Sequence, residues 1–386
     1  MKIRAKPRIV VVFNRDFEGA EADPENKARE DIRDIAENIV RILDGAGYDS
    51  SDLGITSDVH GALLELKTRR PDAVFNLCES IHGDNRFEAL LPLLFDLQGF
   101  AYTGSGPFAL SLALRKEKVK EVLRARGVPT PQGLLVPEED TSGIQLPFPL
   151  IVKPSREDAS VGITASSVVH DREGLADRVK HVIRHYQQAA LVEQYIEGRE
   201  IYVSLLGRVG ERPQIFPFFE IDFSDMPADR PRIVSFEGKW VEGSVDYVGT
   251  RPVRCEGLTP AVRQRIADTA LAAFDAIELR DYARMDVRLA ADGTPYIIDV
   301  NPNCDLSDLA GGFSKAARAG GLSYKDVILR IVSLALSRRP NADTIPLAQR
   351  SRSAGAAHRS AGSGQSVSAG GGVLRARAPR GGAGSA

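Results

Sequence analysis

ARMDVRLAADGTPYIIDVN, residues 283–301, decides how the rest of the chain is read. Two alternating runs flank Asp292-Gly293, the strongest short hairpin signal, because a type I′ turn needs positive φ at both central residues. Centring a two-residue turn there places Asp286 opposite Asp299 and Arg284 opposite Asn301. Strand alternation puts all four on one face, with opposing Cβ atoms about 5 Å apart. The other face carries Met285, Val287, Leu289, Tyr296, Ile298 and Val300, an apolar surface. Like charges directly opposite in a ladder are destabilising, so Asp286 and Asp299 call for a cation between them. Carboxylate and amide oxygens are hard ligands suited to Mg²⁺ or Mn²⁺ rather than zinc. The plain alternative is a solvated face whose carboxylates pair with Arg284 and Arg288.

Working outward, 386 residues at 43% apolar suffice for two or three domains with real cores. A net charge of −2 gives no reason to expect nucleic acid or an anionic membrane as a partner. The 3 cysteines, Cys78, Cys255 and Cys304, lie far apart without a C-x-x-C pair, which fits a reducing compartment and argues against a disulfide framework or a zinc module. The start, MKIRAKPRIVVVFN, has too short an apolar run for a signal segment and reads as a first strand. No apolar segment approaches the roughly 20 residues that span a bilayer. The expectation is a soluble, cytoplasmic protein.

Residues 8–13 read as a parallel-sheet strand, followed by an amphipathic helix over 25–46 with Ile32, Ile35, Ile39, Ile42 and Leu43 on one stripe. A helix over 59–69, the strand DAVFNL and a helix near 86–98 continue a β-α-β alternation. A helix in TGSGPFALSLALRKEKVKEVLRARGVPTP then ends at Gly127. Strands are expected at 148–153 and 190–194 around a helix at 171–188, then at 199–207, 214–221, 232–236 and 283–300. Helices at 259–277 and 323–337 complete the reading. The expected division is an α/β domain over 1–105, a central subdomain over 106–200, a C-terminal subdomain with the metal site over 201–338, and a tail over 339–386. That tail is rich in Ala, Gly, Ser and Arg and lacks the apolar content to fold.

A metal held by one or two carboxylates usually keeps company with nucleotide phosphates. There is no P-loop and no G-x-G-x-x-G opening a helix. Lys153 instead ends an apolar strand in LIVKPSREDASVGI, whose small residues, Ser160 among them, let backbone N–H groups approach a phosphate. Glu193 and Glu200 bracket a turn in LVEQYIEGREI; read alone, they are strand-edge acids.

Taken in order, TGSGPFALSLALRKEKVKEVLRARGVPTP, PLIVKPSREDASVGI, LVEQYIEGREI, ARMDV and IIDVNPN resemble the D-alanine–D-alanine ligase family of ATP-grasp enzymes, from about residue 72 to 335. The resemblance implies a mixed α/β (α+β) ATP-grasp fold, with an N-terminal open α/β domain and ATP held between two antiparallel sheets. It also implies Lys116 and Lys153 on phosphates, Glu193, Gln194 and Ile196 at adenine, Glu200 on the ribose hydroxyls and Lys239 on the γ-phosphate. Asp286, Asp299 and Asn301 would hold Mg²⁺ or Mn²⁺, two ions in the family, and Arg284 would stabilise an oxyanion. The implied activity is ATP-dependent, ADP-forming joining of a carboxylate to an amine through an acyl phosphate. Its partners would be small amino-acid or peptide substrates, and a homodimer stays open.

Departures cluster on the substrate side. Only Glu18 or Glu21 stands where the family has an N-terminal glutamate, Ala159 replaces a serine, and Trp240 takes the place of a loop tyrosine. After Asn301 the chain reads PNCDLSDLAGG, so Asp305, Ser307 and Asp308 occupy the region that grips the second substrate's carboxylate. Two acids there repel a carboxylate and favour a cationic or polar amine; ordinary loop and helix-cap chemistry is the other reading. Three functions remain open: a ligase with another substrate pair, a cell-wall D-alanine–D-alanine ligase, and a nucleotide-binding protein without catalysis.

Overall fold

A computed structural model describes residues 6–15, 24–208 and 210–338, with side chains from residue 32 onward in the second segment. Glu18, Glu21 and the 339–386 tail lie outside the described residues. The apolar run becomes β1 (Arg8–Asn14), the middle of three parallel strands in the order β2-β1-β3, with β2 (Asp49–Ile55) and β3 (Ala73–Asn76) beside it. Ile9 to Phe13 are buried on both faces, as a central parallel strand requires. Helices α1 (Pro24–Gly45) and α2 (Val59–Arg69) make the crossovers, and α3 (Leu90–Gln98) follows. The sequence DSSDLGI of β2 carries no apolar alternation; it is an edge strand, half-exposed and paired to β1 alone.

The run expected as one helix is two, α4 (Pro107–Ala113) and α5 (Lys116–Ala125). Next come β4 (Gly133–Val136), β5 (Leu150–Pro154), β6 (Val168–Val169) and β7 (Ala190–Gln194), antiparallel in the order β4-β7-β5-β6. Helix α6 (Arg172–Tyr186) starts at Asp171, whose Oδ1 accepts the Gly174 N–H at 2.8 Å, and packs Leu175, Val179 and Val182 on that sheet.

The largest sheet contains β8 (Arg199–Gly207), β9 (Gln214–Ile215), β10 (Phe219–Asp222), β11 (Arg251–Arg254), β12 (Asp281–Leu289) and β13 (Pro295–Asn301). Its order is β11-β10-β8-β12-β13, with β9 paired to β8. The strand expected at 232–236 is absent. Ser235 Oγ accepts the Gly238 N–H at 3.0 Å and caps α7 (Phe236–Trp240), so the chain turns into a helix there; α8 (Val245–Val248) follows. Helix α9 (Pro260–Ala276) covers the apolar face with Ile266, Ala270, Ala273 and Phe274. After α10 (Gly312–Ala319), α11 (Tyr324–Ser337) sets Val327, Ile328 and Ile331 into one core with Ile9, Val11 and Phe75 of the first sheet.

The hairpin corrects the sequence reading in its turn but not in its outcome. Gly293, at φ +78, donates its N–H to Ala290 O at 2.9 Å, and Ala290 donates to Thr294 O at 3.0 Å. This is a three-residue loop with glycine in the left-handed region, not a two-residue type I′ turn. Leu289 therefore faces Pro295, one residue out of the expected register. A β-bulge then leaves Ile298 unpaired and restores Asp286 opposite Asp299 and Arg284 opposite Asn301. As a result Ile297, 1% exposed, joins the core, while Ile298 and Tyr296 are half-buried. The backbone groups at the bulge find distant partners. Ile297 N–H donates to Pro129 O at 2.9 Å, Thr130 Oγ1 donates to Ile297 O at 2.7 Å, and Lys120 Nζ donates to Ile298 O at 3.0 Å.

Candidate active site

Register builds one polar face across three strands. Asp286 lies beside Tyr202 and Arg288 beside Glu200 on β8, with Asp299 and Asn301 on the other side. Arg284 donates from Nε and Nη2 to both oxygens of Asp286, at 2.7 and 2.9 Å, and its guanidinium lies 4.7 Å from the Tyr202 ring centre. Lys116 Nζ stands 3.1 and 3.2 Å from the two oxygens of Asp299 and 2.7 Å from Asp158 Oδ1. Asn301 Nδ2 donates to Arg284 O at 3.4 Å. Arg288 is drawn elsewhere: it pairs with buried Glu200 at 3.0 Å, whose other oxygen accepts from Tyr202 Oη at 3.2 Å.

Each of the two facing carboxylates thus carries its own cation: Lys116 pairs with Asp299, and Arg284 pairs with Asp286 as the plain alternative expected. Among the described residues no three His, Cys, Asp or Glu side chains gather as a metal cluster. The donor set here is two carboxylates and an amide, all hard oxygen donors, and it fits Mg²⁺ or Mn²⁺.

Beside that face sits a ring of buried charges. Lys153 Nζ lies 2.7 Å from one oxygen of Glu193, and Lys120 Nζ lies 3.0 Å from the other. Burial alone pushes the Glu193 carboxyl up, yet the two ammonium groups outweigh it and hold its pKa below the usual range. Asp299 behaves alike: Lys116, Lys153 and Lys120 overcome the cost of burial. Burial brings Lys120 down to about 8 against the pull of Glu193. Sequence reasoning missed Lys120, although it follows Lys116 by one helical turn in KEKVK. It missed Asp158 too, because nothing local marks it.

Gln194 donates its N–H to Gln132 O at 2.9 Å, and Ile196 is half-buried on the way to β8. Burial raises the Glu200 carboxyl, with Arg288 opposing. Two loops are locked together nearby. Trp240 Nε1 donates to Ala159 O at 2.9 Å, Ser160 Oγ to Val234 O at 3.0 Å, and Phe236 N–H to Ile163 O at 2.8 Å. Ala159 and Ser160, at φ 53 and 66, are both left-handed, which turns the Ala159 carbonyl into an acceptor for the indole. Lys239 lies 5.0 Å from the Trp240 ring centre, and burial, reinforced by Arg284 and opposed by Asp286, Asp305 and Glu79, holds its ammonium below the usual lysine range.

Of the three candidates after Asn301, Asp305 and Ser307 pair with each other and Asp308 turns to another partner. Asp305 accepts from Ser307 N–H at 2.7 Å and from Ser307 Oγ at 3.0 Å, a closed local turn, while Asp308 pairs with Arg318 of α10. The first sheet supplies groups that the sequence reading did not name. Asn14 at the end of β1 accepts the Glu79 N–H at 2.8 Å. Asn303 donates to buried Glu88 at 3.0 Å and accepts from Tyr282 Oη at 2.8 Å.

Burial, opposed by Asn303 and reinforced by Glu79 and Asp158, pushes the Glu88 carboxyl well above its ordinary value. A raised folded pKa means that Glu88 stabilises the fold at low pH and that this contribution is lost as pH rises through that pKa. Glu88→Gln keeps an acceptor for Asn303 and removes the titration. Its melting temperature relative to wild type should therefore rise from pH 5 to pH 8, each pKa unit being worth about 1.4 kcal/mol. Melting curves at the two pH values check this, and a constant difference would refute it.

The model of the D-ala D-ala ligase C-terminus matches residues 136–333. An uncharacterised protein of Sinorhizobium fredii, y4sG, is 32% identical over 79% of this chain and 88% of its own length. A D-alanine–D-alanine ligase of Chromohalobacter salexigens is 30% identical over 77% of this chain and 90% of that one. Among solved structures, the D-alanine–D-alanine ligase from Bacillus anthracis complexed with ATP superposes with a TM-score of 0.65 at 21% identity, over 86% of this chain and 98% of that chain.

Proposed function

The chain belongs to the D-alanine–D-alanine ligase family, and from that premise we propose that it joins a carboxylate to an amine in an ATP-dependent, ADP-forming reaction, with a substrate pair other than two D-alanines. The observation that carries the chemistry is the facing pair Asp286 and Asp299 inside a frame of Lys116, Lys153 and Arg284. In this reading a substrate carboxylate attacks the γ-phosphate of ATP, giving an acyl phosphate and ADP. An amine then attacks the acyl carbon and phosphate leaves. Both steps place negative charge on oxygens, so fixed cations are the main need and no nucleophilic side chain is required.

Lys116, Lys153 and Lys239 would contact phosphates, Glu193, Gln194 and Ile196 the adenine, and Glu200 the ribose. Arg284 would receive the oxyanion. Asp286, Asp299 and Asn301 would hold one or two Mg²⁺ or Mn²⁺ ions, which neutralise phosphate charge when bound. The Trp240–Ala159 bond ties the two loops together, and in this reading it would help keep out water that destroys an acyl phosphate. Trp240→Phe removes about 1 kcal/mol of hydrogen bonding. It should raise the ratio of ADP released to ligated product about fivefold; an unchanged ratio would show that the indole does not seal the site.

The substrate change rests on charge. Asp305 lies in the segment where the family resemblance places the grip on the second substrate's carboxylate, and an acid there disfavours a free carboxylate. Asp308 is committed to Arg318, which leaves Asp305 and Ser307 as the residues after Asn301 that face the question. The test is ADP release with ATP, Mg²⁺ and separate pools of D- and L-amino acids. Release that needs an amino acid other than D-alanine supports the proposal. Release with D-alanine alone would return the chain to the activity named in its relatives, and bound ATP without any amino-acid-dependent release would leave a nucleotide-binding protein.

A further inference from the structure

Residue Ile298 is the one place where the ladder under Asp299 is broken, and β13 is the outermost strand of its sheet. Among the described residues no further strand lies beside it to accept or donate there. Without the bulge the register from Leu289–Pro295 would run on by one residue, and a one-residue slip turns every side chain to the opposite face. Asp299 would then leave the face of Asp286. The bulge is therefore what aims the carboxylate, and whatever holds the bulge holds the site.

We propose that Lys120 is a positioning residue, whose ammonium fixes the bulge at Ile298 and so sets Asp299 toward its metal ion. The proposal rests on the ligase reading of this face. Lys120 is 3% exposed, and its Nζ reaches Ile298 O at 3.0 Å, Glu193 Oε1 at 3.0 Å and Thr130 Oγ1 at 3.5 Å. Thr130 in turn donates to Ile297 O at 2.7 Å, so both carbonyls that flank the break are gripped from one side. An ammonium has three donors and no acceptor. Burying one is costly unless its charge is paired and its donors are used. For stability alone, apolar side chains in place of both Lys120 and Glu193 would serve as well as this buried pair, whereas an apolar residue at 120 alone leaves Ile298 O without its donor and Glu193 with Lys153 only. What an apolar side chain cannot do is hold the Ile298 carbonyl and the Glu193 carboxylate at a fixed distance from each other, joining the strand of Asp299 to the strand of Glu193.

The test compares wild type with Lys120→Met, which fills the same volume, Lys120→Arg, which keeps a cation, and Thr130→Val, which removes only the second grip. Mn²⁺ affinity is measured by electron paramagnetic resonance with a non-hydrolysable ATP analogue bound, and analogue affinity is measured separately without metal. Groups that orient metal ligands typically contribute 10–100-fold in affinity. Lys120→Met should weaken Mn²⁺ by about that factor, with analogue affinity in the absence of metal changed less than about threefold. Lys120→Arg should recover part of the loss, and Thr130→Val should lose Mn²⁺ affinity by a smaller factor than Lys120→Met. Equal Mn²⁺ affinity in Lys120→Met and wild type overturns the proposal, as does a parallel loss of analogue affinity, which marks Lys120 as part of the nucleotide site. Should Lys120→Met not fold, unchanged Mn²⁺ affinity in Thr130→Val overturns it instead. Wild type that binds the analogue but no Mn²⁺ overturns the metal reading of the face itself, a result separable from the others.

Discussion

Asp299→Ala is expected to lower amino-acid-dependent ADP release by about a thousandfold or more while the protein remains folded. Removing one preorganised electrostatic group from a site of developing oxygen charge commonly costs 10²–10³ in rate, and here a metal ligand goes with it. Folding should survive because Lys116, the partner left behind, keeps Asp158 at 2.7 Å. Arg284 keeps Asp286 in the same way. The check is steady-state ADP release beside a melting curve. A variant with normal melting and more than a tenth of wild-type turnover would sink the assignment of the facing carboxylates.

Asp281→Ala should cost about 3 kcal/mol of stability, from a site with no part in the chemistry. Asp281 is 0% exposed, accepts the Gly104 N–H at 2.9 Å and receives Arg338 on both oxygens, Nη2 at 2.6 Å. Arg338 also donates to Tyr102 O at 2.7 Å, so one arginine at the end of α11 joins β12 to the segment that leaves the first sheet. Burial pushes the Asp281 carboxyl up even with Arg338 beside it, the mark of a pair that is expensive to bury. Breaking such a pair from one side leaves a guanidinium and an amide without their acceptor, and this is the large term. Asp281→Asn, which keeps an acceptor for Gly104, should lose less. Urea unfolding of both variants measures the difference, and a loss below about 1 kcal/mol in Asp281→Ala would contradict the arrangement.

How far the sequence foretold this depends on where each partner lies along the chain. Alternation and Asp292-Gly293 were enough to place Asp286 opposite Asp299, yet the route differed from the expectation. A three-residue loop and a bulge at Ile298 each shift the register by one residue, and they cancel. A glycine in the left-handed region suits either loop, so the local sequence does not choose between them. The bulge is held by Thr130 and Lys120, 167 and 178 residues away, which no local pattern can show. Elsewhere a strand was expected over 232–236, but Ser235 acts as a helix cap. The polar strand β2 was invisible because its place is fixed by β1. Asp305, Ser307 and Asp308 were placed at the second substrate's carboxylate by the family resemblance, with loop and helix-cap chemistry as the other reading. Asp305 pairs with Ser307 and Asp308 with Arg318 of α10, and the second of these partners lies ten residues on, where no local pattern marks it.

The central claim is ligation through an acyl phosphate, and oxygen transfer tests it most directly. The amino acid that supports ADP release is labelled with ¹⁸O in its carboxylate, and the released phosphate is analysed by mass spectrometry. The proposed reaction predicts one ¹⁸O in each phosphate formed with ligated product, since the carboxylate oxygen that attacks the γ-phosphate leaves with it. Product formation with unlabelled phosphate would contradict the acyl-phosphate route.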